Sequence, residues 1–407
     1  MFETGKLALI PARPRIPLTK PVLGEAEAAA ARRVLLSGWL TQGPEVRAFE
    51  NEFAAYVAAK EAVAVNSGTA ALELVLHALD IGPGDEVVTV SHSFIATANA
   101  VRRSGALPVF VDIAPGTFNI DPARAASAIG SRTRAILAVH QIGMPCDLAA
   151  LARLAEAQHL PLIEDAACAA GSEMEWQGHW EKIGRPRGVA ACFSFHPRKV
   201  LTTGDGGMVT TNDRKLAERM RRLRVHGIDI EGDVRHGAGV YIETYAEPGF
   251  NMRMTDFQAA VGRVQLTRLD EIVRRRRELA RRYADRLAAI PGIVPPREPA
   301  WARSNWQSYC VGLPDGCNQH DVMARLAKNG IASRRGILCA HREPAYPRGT
   351  WSCVPGPGRC ECPPGVCTNL KESERAQDRS VQIPLFEAMS DAELDFVADC
   401  LAEICRT

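Results

Sequence analysis

Short apolar runs alternate with longer amphipathic stretches along the first half of the chain. The runs are apolar throughout, which is the pattern of strands that are covered on both faces. They span residues 62–65, 86–90, 108–111, 135–139, 161–163 and 189–195. Apolar residues recur at helical spacing over residues 25–36, 70–79, 97–103 and 148–159. Strands that alternate with helices predict an α/β domain with a mostly parallel sheet.

The second half of the chain opens with a long helical pattern. A helix is predicted over residues 255–289, and we interpret its arginine run, Arg274 to Arg277, as a solvated face. A smaller α/β unit follows from residue 305, and residues 342–371 form a Pro-, Gly- and Cys-rich insertion without periodicity. We therefore predict a large domain with an N-terminal arm over residues 1–250. The bridging helix and a small C-terminal domain would occupy residues 251–407.

Composition narrows the classes of function. The 407 residues include 49 Lys and Arg against 47 Asp and Glu, so the net charge of +2 lacks the basic excess of nucleic-acid-binding proteins. The N-terminus shows no secretory signal pattern, and the apolar runs are too short to cross a bilayer. We expect a cytoplasmic protein without nucleic-acid or membrane partners, whose 12 cysteines are mostly thiols.

Three polar features follow predicted strands in an order that indicates one cofactor. Residues 66–72, NSGTAAL, place a Gly-containing turn before a helix, which makes either an anion site or an ordinary helix cap. Asp165 ends an apolar strand, where a carboxylate can hold a protonated ring nitrogen or cap a turn. Lys199 precedes a Gly-rich turn and could form Schiff bases or be an ordinary surface lysine. Together, a phosphate cup, an acid and a lysine match pyridoxal phosphate.

The motifs resemble those of the DegT/DnrJ/EryC1/StrS sugar aminotransferases, which are fold-type I pyridoxal-phosphate enzymes. The resemblance covers most of the chain and is weakest in the insertion. Besides NSGTAAL, it rests on SGWLTQGP at 37–44, GPGDEV at 82–87, SFIAT at 93–97, EDAA at 164–167, FSFHPRK at 193–199, GFNMRMTD at 249–256 and IPL at 383–385. It implies a seven-stranded, mostly parallel sheet between helices in the large domain, and a smaller C-terminal α/β domain.

The resemblance also implies roles for individual residues. Lys199 would carry the cofactor and move a proton between the amino-acid α-carbon and the cofactor C4′, and Asp165 would pair with the protonated pyridine nitrogen. Phe94 would stack on the ring. Asn251 would reach the phosphate of the neighbouring subunit's cofactor, which implies a homodimer with a shared active site. The residues that would bind the phosphate are Gly68, Thr69 and Ser194.

Two positions bear on the type of chemistry. Cys168 stands where the family commonly has Gln, and a thiol is a shorter and weaker donor to the ring hydroxyl of the cofactor. Lys199 stands where family members that act as sugar dehydratases carry His. The lysine therefore favours transamination.

The resemblance implies an amino group moving from L-glutamate or L-glutamine to a keto-sugar, most often a nucleotide-linked 3- or 4-keto hexose. A keto-cyclitol acceptor is the alternative, and a non-catalytic regulatory protein on the same fold is a further one. Arg334 or Arg335, with Arg335 preferred, is predicted to bind a substrate carboxylate or diphosphate, and His341 to contact the sugar. A solvated loop and a structural histidine are the competing interpretations.

Four cysteines in the insertion form the densest cysteine group: Cys353, Cys360, Cys362 and Cys367. Four thiolates could hold a structural zinc or an iron–sulfur centre, but the spacing is not the paired CxxC of familiar zinc sites. We favour unlinked thiols over disulfides and predict no metal site. A reactive cysteine loop here would instead indicate a lyase or desulfurase.

Overall fold

The computed structural model describes residues 15–229, 242–354, 362–363 and 365–406. Helices in this part of the chain are α1 (Glu25–Ser37), α2 (Pro44–Val57), α3 (Gly68–Ala78), α4 (Ala96–Arg103), α5 (Pro122–Ser127), α6 (Leu148–Ala157), α7 (Arg214–Leu223), α8 (Asp256–Leu287), α9 (Gln319–Lys328), α10 (Lys371–Arg379) and α11 (Asp391–Arg406). Single 3-10 turns lie at Gln141–Gly143 and Ala340–Arg342.

Three sheets are formed by the described strands. The strands are β1 (Glu61–Val65), β2 (Glu86–Val90), β3 (Leu107–Val111), β4 (Thr133–Val139), β5 (Leu162–Asp165), β6 (Glu173–Trp176), β7 (His179–Lys182), β8 (Ala190–Ser194), β9 (Gly207–Thr211), β10 (Ala302–Arg303), β11 (Tyr309–Gly312), β12 (Arg334–Arg335) and β13 (Ser380–Ile383). Seven of them form the main sheet in the order β1-β9-β8-β5-β4-β2-β3. Only β9 runs antiparallel to its neighbours there, so the prediction of a mostly parallel α/β sheet is confirmed.

Helices cover both faces of the main sheet. On one face Phe53 of α2 packs edge-on against Phe193 of β8, with ring centroids 5.0 Å apart, and α8 joins the same core through Leu269. On the other face α3 buries Leu74 and its neighbours. Burial on both sides explains why these strands are apolar throughout rather than alternating.

The long helix α8 joins two apolar cores. Its first half packs on the main sheet, whereas Tyr283 in its second half packs on the small sheet β11-β13-β12, where it contacts Tyr309. Ile16 also lies in this second core and pairs with Ile331. The first described residues therefore pack on the C-terminal unit, although the arm was assigned to the large domain. The boundary at residue 250 stays a prediction.

The interpretation of the arginine run as a solvated face is wrong for Arg276. Its side chain is 4% exposed and its guanidinium donates to the carbonyl oxygens of Trp306, Gln307 and Leu385. Burial lowers its pKa to about 10. Arg276 lies on the face of α8 that the small sheet covers, and its hydrogen bonds join the C-terminal half of the protein to this helix.

The Cys-rich insertion packs on the large domain. Ser352 pairs with Val109 of β3, and Trp351 packs on Phe110 with ring centroids 5.7 Å apart. Within the described ranges no three His, Cys, Asp or Glu side chains are grouped as metal ligands would be. Cys360 lies outside those ranges, so the role of the cysteine group stays a prediction. No described helix is long and apolar enough to cross a membrane.

Candidate active site

Free backbone donors lie at the N-terminus of α3, where β1 ends. Ser67 caps the helix by accepting a hydrogen bond from the N–H of Ala70 at 3.1 Å. The N–H groups of Gly68 and Thr69 have no hydrogen-bond partner among the described residues. The positive end of the helix dipole adds to these donors, so the turn can bind an anion.

Strand pairing brings Ser194 to the same turn. Gly207 of β9 lies between Val65, at the end of β1, and Ser194, at the end of β8. A Cβ atom on Gly68 would lie only 2.6 Å from the Cβ of Ser194. The glycine is therefore required for close approach, and the Ser194 hydroxyl joins the N–H groups at the anion cup.

Asp165 is a buried carboxylate at the carboxyl end of β5. It is 5% exposed. Its Oδ1 accepts from the N–H of Ala167 at 3.1 Å, and its Oδ2 accepts from Thr97 Oγ1 at 2.7 Å. The adjacent Glu164 points to the other face of the sheet and contacts His140, with 3.1 Å between Oε2 and Nε2. Only Asp165 is therefore placed to face a ligand at the strand ends.

Lys199 lies in the loop after β8, against residues from the C-terminal half. Its Nζ donates to Cys168 Sγ at 3.0 Å. The side chain of Asn305 donates to the backbone oxygen of Cys168 at 2.8 Å, and that of Gln307 donates to the backbone oxygen of Arg198 at 3.1 Å. A turn from the C-terminal half thus holds the two segments that flank the lysine.

Phe94 and Asn251 are exposed at the same end of the sheet. The Phe94 ring is 59% exposed, an unusual state for a large apolar side chain and one that suits a flat ligand. The backbone oxygen of Asn251 lies 3.4 Å from Nδ2 of Asn66, beside the anion cup of its own chain. Its side-chain Oδ1 accepts from Nε of Arg253 at 3.1 Å.

The structure contradicts the expected role of His341. Its side chain is completely buried, with Nδ1 2.7 Å from Ser91 Oγ and Nε2 3.0 Å from Glu374 Oε1. Both ring nitrogens are engaged within the protein, so neither can bind a sugar. Arg335 is exposed, and its guanidinium forms an ion pair with Glu343 at 2.8 Å.

Arg198 and Arg334 lie near Lys199, because the charges of all three, after burial, lower the pKa of His196. Burial and then the charge of the nearby Arg334 lower the pKa of Arg198. Neither forms an ion pair with a described carboxylate. Sequence reasoning missed Arg198, although it stands next to Lys199, and missed Thr97, although it closes the SFIAT motif.

These groups fit pyridoxal phosphate. The cup offers two free N–H groups and a hydroxyl to a phosphate, Asp165 offers a carboxylate to a ring cation, and Lys199 offers an amine to a carbonyl group. The exposed Phe94 ring offers a flat apolar face. The fold and this set of groups define the class of pyridoxal-phosphate transferases.

The chain belongs to the DegT/DnrJ/EryC1/StrS aminotransferase family, whose family model matches residues 21–402. It is 36% identical to the spore coat polysaccharide biosynthesis protein SpsC of Bacillus subtilis (strain 168), covering 96% of this chain and 97% of that protein. The solved structure of S. venezuelae DesV is 35% identical, covers 97% of this chain and 99% of that one, and has a TM-score of 0.84.

A further solved structure is the pyridoxal-phosphate form of the sugar aminotransferase Spr1654 of Streptococcus pneumoniae, itself described as putative. It is 27% identical, covers 96% of this chain and 98% of that one, and has a TM-score of 0.84. The protein is therefore a pyridoxal-phosphate-dependent aminotransferase of a sugar aminotransferase family, and the predicted fold, enzyme class and cofactor are confirmed.

Proposed function

We propose that the protein moves an amino group from L-glutamate or L-glutamine to a nucleotide-linked 3- or 4-keto hexose in the cytoplasm. The observation that carries the proposal is the convergence of Lys199, Asp165 and the anion cup at the carboxyl ends of the main sheet. SpsC is described as a polysaccharide biosynthesis protein, which supports an activated sugar as the acceptor.

Each residue would have one task. Bound pyridoxal phosphate withdraws electrons from the amino-acid α-carbon. Lys199, whose Nζ donates to Cys168 Sγ at 3.0 Å, would take the proton from that carbon and return it at the cofactor C4′. Asp165 keeps the ring nitrogen protonated, and Phe94 covers the ring. The phosphate is held by Gly68, Thr69 and Ser194.

The substrate's anionic group would bind between Arg198 and Arg334. Two guanidinium groups without an ion-pair partner among the described carboxylates repel each other, and a carboxylate or diphosphate between them removes that repulsion. Arg198 belongs to the predicted large domain and Arg334 to the predicted small one, so this pair would bind the anionic group of the substrate between the two domains. This assignment replaces the earlier prediction for Arg335 and His341.

A half-reaction screen tests the function. The protein is loaded with amine from L-glutamate or L-glutamine, and nucleotide-linked 3-keto and 4-keto sugars and keto-cyclitols are then offered while the visible absorption of the cofactor is followed. We expect the original spectrum of the wild type to return when a nucleotide-linked keto-sugar is added. In Lys199→Ala we expect no spectral change on addition of the amino acid or the keto-sugar. Return only with a keto-cyclitol would favour the alternative acceptor. No exchange with any amino acid would favour a regulatory protein.

Mixing subunits tests the shared active site. We propose a homodimer in which Asn251 contacts the partner's cofactor, so Asn251→Ala should weaken cofactor retention. Lys199→Ala subunits mixed with Asn251→Ala subunits would then form heterodimers that each contain one intact site, about a quarter of all sites at random assortment. If Asn251 instead serves its own chain, mixing restores no tight binding.

A further inference from the structure

A chain of buried hydroxyl groups ends on Asp165. Ser93 Oγ lies 2.7 Å from Thr97 Oγ1, and Thr97 Oγ1 lies 2.7 Å from Asp165 Oδ2. Ser93 is 3% exposed and Thr97 is 1% exposed, so water does not compete for these hydrogen bonds. Neither residue belongs to the set that would contact the cofactor.

The direction of the hydrogen bonds follows from their chemistry. A hydroxyl group has one hydrogen, and an ionised carboxylate can only accept. Thr97 therefore donates to Asp165, and Ser93 must donate to Thr97. Both Asp165 oxygens thus accept a hydrogen bond, Oδ1 from the N–H of Ala167 and Oδ2 from Thr97, and the two bonds fix the orientation of the carboxylate.

The far end of the chain is held by the C-terminal half of the protein. The N–H of Ser93 donates to the carbonyl oxygen of Leu338 at 3.1 Å, and Ser91 binds His341. The same loop carries Phe94. The series of hydroxyl groups thus begins at Ser93, where the C-terminal half contacts this loop, and ends on the carboxylate of Asp165.

We infer that Thr97 is a positioning residue that holds the Asp165 carboxylate oriented toward the cofactor's ring nitrogen, with Ser93 orienting Thr97. The inference rests on the role of Asp165 in the proposed function. This role differs from packing because it depends on the hydrogen bond that the Thr97 hydroxyl group donates, and not on the volume of the side chain. A hydrogen bond to a charged group is strong enough that its loss can weaken affinity about tenfold or more.

Cofactor binding without substrate tests this inference. The dissociation constant of pyridoxal phosphate is measured by equilibrium dialysis, together with the pH dependence of its visible absorption. Thr97→Val keeps the volume and removes the hydroxyl, and we expect about tenfold weaker binding with a shifted pH profile. Thr97→Ser should restore both, and Ser93→Ala should weaken binding less than Thr97→Val.

Thr89→Val is the matched control. Thr89 is fully buried in β2, which β4 separates from β5 in the main sheet, and it donates to the carbonyl oxygen of Leu137 at 2.8 Å, without contact to Asp165. We expect it to lower thermal stability while leaving the affinity and the pH profile unchanged. Equal binding by Thr97→Val and wild type, or failure of Thr97→Ser to restore it, would overturn the inference. If the wild type itself binds no cofactor, the proposed function fails instead.

Discussion

Replacing Arg276 by Leu should lower the free energy of unfolding more than replacing any of its exposed neighbours on the helix. The guanidinium donates to three carbonyl oxygens at 2.7–3.0 Å: those of Trp306, Gln307 and Leu385. Leucine would leave them buried without that donor. Hydrogen bonds to charged groups contribute roughly 1.5–3 kcal/mol each, and the relieved burial of a charge offsets part of this. We expect a net loss of about 3–5 kcal/mol.

The turn that Arg276 holds also has a strained backbone. Trp306 has φ of 53°, in the left-handed region that a bulky residue adopts only when its surroundings hold it there. The same turn donates through Gln307 to the backbone of Arg198, beside Lys199. Arg276→Leu should therefore also reduce cofactor binding, although Arg276 lies outside the proposed set of contacts.

Urea unfolding followed by circular dichroism measures this loss, and Arg274→Leu is the matched control. Arg274 lies on the same helix, its side chain is 63% exposed, and it pairs with Glu278, so its removal should change the unfolding free energy by no more than about 0.5 kcal/mol. Arg276→Lys should fall between the two. If Arg276→Leu lies within 1 kcal/mol of the control, on the order of the error of such curves, the reasoning is refuted.

Two further predictions concern the anion cup and acid stability. A Cβ on Gly207 would collide with the backbone of Ser67, so Gly207→Ala should abolish tight cofactor binding. Gly24→Ala should not, because its Cβ would make only an ordinary contact with Glu27 Oε2 at 3.8 Å; equal binding by both would contradict the cup. Burial lowers the pKa of His92 to about 3. Below about pH 6.5 the unfolded chain binds a proton that the folded chain excludes, so stability falls by about 1.4 kcal/mol per pH unit. His92→Leu should remove that slope in unfolding measured from about pH 6.5 to 4.5, a window between the unfolded pKa of about 6.5 and the folded pKa of about 3; parallel curves would refute it.

Motif order carried most of the prediction of the candidate site. Gly68, Thr69, Asp165, Ser194 and Lys199 each follow a strand of the main sheet or begin the helix after it. Because parallel strands end at the same edge, residues that follow them meet there whatever lies between them. The structure shows this edge with Asp165 buried and Lys199 beside Cys168.

Burial of single polar residues could not be predicted in the same way. Arg276 is predicted as exposed because it belongs to a run of four arginines, and His341 as ligand-facing because its segment is predicted to lie where the small domain faces the site. Their hydrogen-bond partners are distant in sequence: Arg276 binds the 306–307 turn, and His341 binds Ser91. Contacts of that kind have no local pattern, so periodicity does not reveal them.

The sequence by itself determined the alternation of strands and helices, the mostly parallel sheet and the residues at its carboxyl edge, because these depend on local apolar patterns and on short motifs. Only the tertiary structure decided which charged groups face the cleft. It placed Arg334 close enough to Arg198 for its charge to lower the pKa of Arg198, and it connected Thr97 to Asp165. The reason is that a side chain's role depends on what long-range packing places opposite it, and in this protein those partners come from the C-terminal half or from neighbouring strands.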